Sequence, residues 1–251
     1  MDSIYNLDKI ELHKILTEMG VANLYHANTV STSITFLNEK NLLSRKYIED
    51  NNLFQTKQIS DANDKEFNVY DDIFLDFIDI HRVLKRANKY GPFLFLFNID
   101  LLKSDRIKHI RITKKNPLYW RKDQSEKDWY FSDLKEFAEK YKKGNRYSDF
   151  SSMLIIKDVQ GKLALRPHIK QFVIDNPNLI LPFKNEKKYL LNFLSEELGK
   201  VVKENGFSDV DRGVRHKNNS LRCSCWFQYN LMRIRDMNNL KKMFHPKPKF
   251  D

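Results

Sequence analysis

Glycine is scarce in this chain, with seven among 251 residues, and none falls in GxGxxG or GxxxxGK[ST] spacing. Those spacings let a backbone close around phosphates, so the usual Rossmann and P-loop sites are excluded. Any nucleotide must be held in another way. Cysteine is rarer still. The two present, Cys223 and Cys225, stand too close together for an ordinary disulfide framework, which predicts a reducing, cytoplasmic setting. No apolar run approaches the roughly 20 residues of a membrane span. The opening MDSIYNLDKIELHK lacks the basic-then-apolar order of a signal peptide. GxSxG, HExxH and EF-hand patterns are also missing, which leaves the common hydrolase, zinc-protease and calcium readings without support.

What remains is a core rich in rings and a surplus of positive charge. Eighteen Phe and eleven Tyr are enough to fill the interior of one large domain. The formal net charge is +11, and from Val201 to Asp251 eleven Lys/Arg face five Asp/Glu. A basic terminal region is the electrostatic footprint of a polyanion such as nucleic acid, and equally of ordinary solubility charge.

The stretch Tyr25–Arg45 organises the chain. It predicts a short strand ending at His26, a polar turn Asn28–Ser33 rich in N-cap residues, a helix burying Ile34, Leu37 and Leu42, and an exit at Ser44-Arg45. A His beside a helix N-terminus, with an Arg close behind, suits a ligand carrying phosphates and an amide. A solvated loop and a surface helix fit the same residues.

Ahead of it, Asp8–Met19 has helical spacing and Gly20 stops it. Residues 46–68 are polar and long enough for a lid, with Gln55, Thr56, Ser60 and Asp61 free to face ligand or water. Val69–Ile80 mixes Asp72, Asp76 and Asp79 with large apolar residues. Buried carboxylates need partners, and His81, Arg82 and Arg86 are the near ones. Phe93–Ile99 is nearly apolar throughout, as a central strand would be. Arg106–Thr113, Met153–Lys157 and Ile169–Ile174 are further strands; Ser132–Tyr141 and Glu186–Asn205 are helices. Trp120, Trp129, Tyr130 and Phe131 lie among Arg121, Lys122 and Lys127, a pattern that stacks bases or anchors a loop. His216, Cys223, Cys225 and His245 are too irregularly spaced for a usual zinc motif, and no metal is expected.

Several of these segments together resemble the DarT-like branch of the ADP-ribosyltransferases. The resemblance rests on His26 with Asn28, the exit Leu42–Arg45, the run YGPFLFLFNIDLL from Tyr90, and RPHIKQFVID from Arg166. It covers residues 22–176. It implies an α+β fold with a split mixed sheet and flanking helices. The catalytic domain would be residues 1–180, and 181–251 a helical, basic extension packed on it. It further implies NAD as co-substrate, held by His26 and Asn28 with Thr29, Thr32, Ser44 and Tyr90. Arg45, Asp76, His81 and Arg82 would serve the chemistry. ADP-ribose would pass to a base of DNA or RNA, in a toxin or phage-defence setting with a possible antitoxin partner. Positive charge develops at the ribose, so a carboxylate is required. The family's Glu position reads Asp149-Phe150-Ser151-Ser152-Met153 here, which leaves Asp149, Asp72, Asp76 and Asp79 as candidates. Two other readings fit the residues: a non-catalytic nucleic-acid-binding module, and a nuclease holding a metal on Asp72, Asp76 and Asp79.

Overall fold

The apolar run at Phe93 forms an interior strand of a seven-stranded sheet. The computed structural model describes residues 3–83, 87–144, 152–183, 186–217 and 223–247, with the backbone alone at 82–83, 142–144 and 182–183. In chain order the elements are α1 (Lys9–Glu18), β1 (Asn23–Asn28), α2 (Val30–Glu39), β2 (Asn41–Leu43), α3 (Arg45–Asp50), α4 (Asp61–Glu66), β3 (Ile73–Asp76) and α5 (Ile80–Val83). Then come β4 (Phe93–Asn98), β5 (His109–Ile112), α6 (Glu126–Trp129), α7 (Leu134–Gly144), β6 (Met153–Lys157), β7 (Lys162–Ala164) and β8 (Ile169–Asp175). The chain closes with β9 (Ile180–Phe183), β10 (Glu186–Tyr189), α8 (Leu190–Glu204), β11 (Asp211–Arg215), α9 (Cys225–Arg235) and α10 (Met237–Phe244). Among the described residues no helix is long and apolar enough to cross a membrane.

The sheet order is β11-β8-β4-β1-β3-β6-β5. Neighbours are antiparallel except β11 and β8, so the sheet is mixed and the fold is α+β, as expected. Phe93, Leu94, Phe95 and Phe97 are all buried, which explains why β4 shows no polar alternation. β1 and β4 pair over six positions, Asn23 to Asn28. β1 and β3 pair only at Tyr25 and Asp76. The sheet therefore parts between two of its central strands.

Five sequence expectations change. The turn Asn28–Ser33 is largely helix already, because α2 starts at Val30 with Thr29 as its cap. Leu42 is not on that helix: Lys40 turns left-handed (φ 56°), and Leu42 sits in β2, paired with Leu163. The strand within Val69–Ile80 is only Ile73–Asp76. Residues 186–189 form β10 against β9, and the helix begins at Leu190. Its Leu190, Leu194, Leu198 and Val202 are buried at helical spacing, and the helix starts one turn later than the sequence pattern suggests. The region after residue 180 also supplies β11 to the main sheet, so it is not solely helical.

Candidate active site

The parting of the sheet is filled by a side chain. His26, on β1, turns its Nδ1 to the carbonyl oxygen of Phe74 on β3, 2.8 Å away. This contact stands where strand-to-strand bonds are missing. Burial holds the imidazole neutral, pulling its pKa from 6.5 to about 4; the Phe74 bond opposes the fall and the Arg45 charge adds to it. A neutral ring that donates from Nδ1 leaves Nε2 as an acceptor. That Nε2 is buried and has no protein partner. Phe36 and Phe95 pack against the ring at centroid distances of 5.6 and 6.3 Å and fix its orientation.

Arg45 approaches the same cleft from the start of α3. Ser44 caps that helix, accepting from the Tyr47 N–H at 3.0 Å and donating to Asp71 at 2.8 Å. The guanidinium is gripped by Asp61 through Nε (3.0 Å) and Nη2 (2.8 Å), and Nη2 also donates to the Thr56 carbonyl oxygen at 2.9 Å. Its Nη1 is buried and unpartnered. One orphaned acceptor and one orphaned cationic donor thus line a single cleft, together with Asn28, Gln58, Asp64, Asp76, Tyr90 and Asn116. Buried polar atoms without partners are rare, and two in one cavity are able to bind a polar ligand.

The expected nucleotide contacts separate into two groups. His26, Asn28 and Tyr90 line the cleft, and Thr29 lines the groove beyond it. Thr32 and Ser44 are not among the lining residues, and their hydroxyls are spent inside the protein. Thr32 takes the Thr56 N–H at 2.8 Å and a bond from Thr29 at 3.0 Å, which pins the 54–58 loop to α2. They are corrected from ligand contacts to supports.

The carboxylates divide similarly. Asp72 is buried and ion-paired to Lys157 at 2.7 Å. Asp79 pairs with Arg215 at 2.8 Å, and Arg215 also holds the fully buried Asp175 at 2.9 Å. Asp72 lines the cleft with Asp76, but Asp79 does not, and among the described residues the three aspartates do not come together as a metal cluster. Asp76 faces both the cleft and the groove. Asp149 and Arg86 lie outside the described residues, as does the side chain of Arg82. His81 is not beside Asp76; it is buried against Cys223 and Asp175, and neither the cleft nor the groove includes it. Sequence reasoning missed Asp64. Burial raises its pKa from 3.8 to about 6, against a hydrogen bond with Ser60. Nothing local marks it, because its burial exists only in the folded chain, where it lines the cleft.

Asp64 therefore costs stability once ionised. The folded state keeps its proton up to about pH 6 while the unfolded chain loses it near 3.8, so this contribution falls as pH rises between those values. Asp64→Asn should leave stability unchanged near pH 4 and add up to about 3 kcal/mol above pH 6.5. His26 weights the other way, but equally in both proteins. Urea unfolding at pH 4.5, 6 and 8 checks this; a gain that does not grow with pH contradicts it.

The cleft opens into a groove of about 770 Å³, walled by Tyr90, Asn116, Ser152, Met153 and Tyr229 and edged by Lys57, Lys89 and Lys242. Such a volume matches a cofactor-sized ligand. The Asn116 amide donates to the Tyr90 hydroxyl at 3.0 Å and ties the two walls together. Ser152 carries a buried, unpartnered hydroxyl there. The aromatic–basic segment does not supply a stacking platform. Trp120 and Trp129 stack on each other (centroids 4.9 Å, 11°), Tyr130 packs edge-on to Trp120, and Arg111 covers Tyr130 at 5.0 Å. Only Tyr119, half exposed at 53 %, reaches the groove. Of His216, Cys223, Cys225 and His245, only the cysteines come together; His216 contacts Asn176 and His245 contacts Lys247.

No protein-family model and no curated protein sequence matches the chain. Among solved structures, it is similar to Thermus sp. 2.9 DarT in complex with ADP-ribosylated ssDNA, at TM-score 0.48 and 11 % identity over 80 % of this chain and 97 % of that one. It is also similar to Thermus sp. 2.9 DarT in complex with NAD+, at TM-score 0.45 and 11 % identity over 78 % and 96 %. Likeness at this level decides neither family nor activity.

Proposed function

We propose that this chain is an NAD-dependent ADP-ribosyltransferase acting on nucleic acid. The observation that carries the reading is the pair of orphans in one cleft: a neutral His26 with a free Nε2 acceptor, and Arg45 with a free Nη1 donor. A ligand that satisfies both presents a hydroxyl or amide N–H to the histidine and an anion or carbonyl to the arginine. NAD offers ribose hydroxyls, a carboxamide and a pyrophosphate on one molecule. Its binding without a glycine-rich loop accords with the glycine scarcity, and the resemblance over residues 22–176 points the same way. The lysines edging the groove suit a phosphate backbone.

In this reading the bond from ribose C1 to the nicotinamide nitrogen breaks, and nicotinamide leaves with the electron pair. A bond from C1 to a base forms, and the base loses a proton. Asp76 is the carboxylate we assign to the ribose. It pairs with Met153 across β3 and β6, so it enters from the strand beside the one that would carry the family's Glu. Asp64, with a pKa of about 6, suits proton transfer near neutrality. Arg45 fixes the anion, and His26 holds the ribose or amide.

The test is incubation with labelled NAD and single-stranded DNA or RNA. Label should pass to one of them, and His26→Ala should reduce transfer by about 100-fold or more, the usual loss for a positioned hydrogen-bonding group. NAD should also raise the melting temperature. Nucleic-acid binding without transfer, and without an NAD effect on melting, would sink the reading and leave a binding module. Growth arrest on expression that depends on transfer would extend it to a toxin with an antitoxin partner.

A further inference from the structure

Away from the cleft, two segments distant in sequence meet at sulfur and nitrogen. His81 of α5, Cys223 just before α9 and Cys225 at its first residue each place a ligand atom within 4.8 Å of the others. His81 Nδ1 lies 3.4 Å from the Cys223 sulfur, and the Cys223 N–H donates to the His81 carbonyl oxygen at 3.3 Å. The Asn88 backbone N–H donates to the Cys225 sulfur at 3.1 Å. His81 and Cys225 are buried, and Cys223 is half-buried.

A nucleophilic relay does not fit this geometry. It needs the thiol and the carboxylate on opposite ring nitrogens. Here Cys223 and Asp175 both sit at Nδ1, at 3.4 and 3.7 Å.

We propose that His81, Cys223 and Cys225 form a binding site for a borderline-soft divalent cation, Zn²⁺, which clasps α9 to α5. The inference stands independently of the transferase reading. Two thiolates and an imidazole select zinc over magnesium or calcium. Tetrahedral zinc with bonds of roughly 2.0–2.3 Å separates its ligand atoms by about 3.3–3.8 Å. The observed 3.4 Å is within that spacing. The Asn88 N–H on the Cys225 sulfur is the kind of supporting bond that steadies a metal thiolate. Three protein ligands leave the fourth position to water on the half-buried Cys223 side. Binding releases the thiol protons. It also moves the His81 ring proton to Nε2, where the Asn88 amide lies 3.3 Å away with its nitrogen toward the ring. The Asn88 contact to Nε2 is therefore given up when zinc is held, while the two shorter bonds that fix the amide's orientation are kept. The same amide holds the Gly91 carbonyl oxygen and the Tyr90 N–H, each at 2.9 Å, so the clasp borders the groove wall.

The test uses the full chain, purified with zinc and then desalted. Elemental analysis should find about one zinc per chain. Replacement by Co²⁺ should give thiolate-to-cobalt charge-transfer absorption in the near ultraviolet. Cys223→Ser, at the half-buried position, should remain folded by circular dichroism and lose that absorption. Its zinc affinity should fall by about 100-fold or more, beyond the loss seen when only a supporting partner is removed. A chelator should lower the melting temperature of the parent chain and leave that of Cys223→Ser unchanged. A folded parent chain with no cobalt–thiolate absorption would overturn the proposal. So would thiols that react with a thiol reagent at the same rate with and without zinc.

Discussion

Arg45→Ala is expected to abolish ADP-ribose transfer and to loosen the fold at once. The guanidinium and Asp61 are both mostly buried, with side-chain exposures of 11 % and 14 %. Removing one partner of a buried pair costs about 3–5 kcal/mol, because the other charge is stranded. The loop bond to Thr56 is lost as well. Activity should fall by roughly 100- to 1000-fold, the range for deleting a preorganised donor. Two further variants separate the effects. Arg45→Met with Asp61→Leu should recover most of the stability and none of the transfer, since the stranded charge is gone but Nη1 is not replaced. Arg45→Lys should keep a charge for Asp61 yet lose the fork that leaves Nη1 free, so transfer stays low. Urea unfolding and transfer of labelled NAD, measured on the same preparations, check both halves. Transfer retained in the double variant would remove Arg45 from the site.

Gly91→Ala should be the most damaging single methyl in the chain. Gly91 sits at φ +150° beside the junction of β1 and α2. A Cβ there would lie 2.2 Å from the backbone carbon and oxygen of Asn28 and 2.3 Å from the Thr29 nitrogen. These are main-chain atoms of the central strand and a helix cap, so neither can swing aside. A loss above about 4 kcal/mol is expected, a large share of the roughly 5–15 kcal/mol that holds an ordinary domain folded. The control is Gly20→Ala. Gly20 also has a left-handed φ (+77°), but nothing lies within 4 Å of its added Cβ. That change should cost only about 1–2 kcal/mol of backbone strain. Expression yield and thermal melting of the two variants distinguish contact from conformation. Equal losses would show that backbone angle alone decides, and that the junction is not tightly packed.

The junction also shows why the sequence pointed to the proposed site only in part. His26, Asn28 and Arg45 were legible because their residue types and helix-start spacing suit an anionic, amide-bearing ligand. Their unpartnered atoms were not legible. Which nitrogen of His26 is orphaned depends on the Phe74 carbonyl, 48 positions along the chain. Thr32 and Ser44 looked equivalent to Thr29 in the sequence, but cross-chain bonds to Thr56 and Asp71 consume them. The aromatic–basic segment misled for a related reason. Rings and cations that would stack bases stack equally well on each other, and the stacked tryptophans did so.

Local chemistry determined the elements. The uninterrupted apolar run at Phe93 required a strand buried on both faces, and the Leu190–Val202 spacing required a helix. Glycine scarcity excluded phosphate loops before any coordinates. Tertiary structure alone decided which polar groups were left over. It paired Asp72 with Lys157 and Asp79 with Arg215, set Asp72 and Asp76 at the cleft but not Asp79, and buried Asp64. It also took His81 out of the expected site and set it against two cysteines more than 140 positions away. The physical reason is that helix and strand formation depend on neighbours along the chain. Burial, ion pairing and ligand geometry depend on neighbours across it, and those exist only once the sheet has closed.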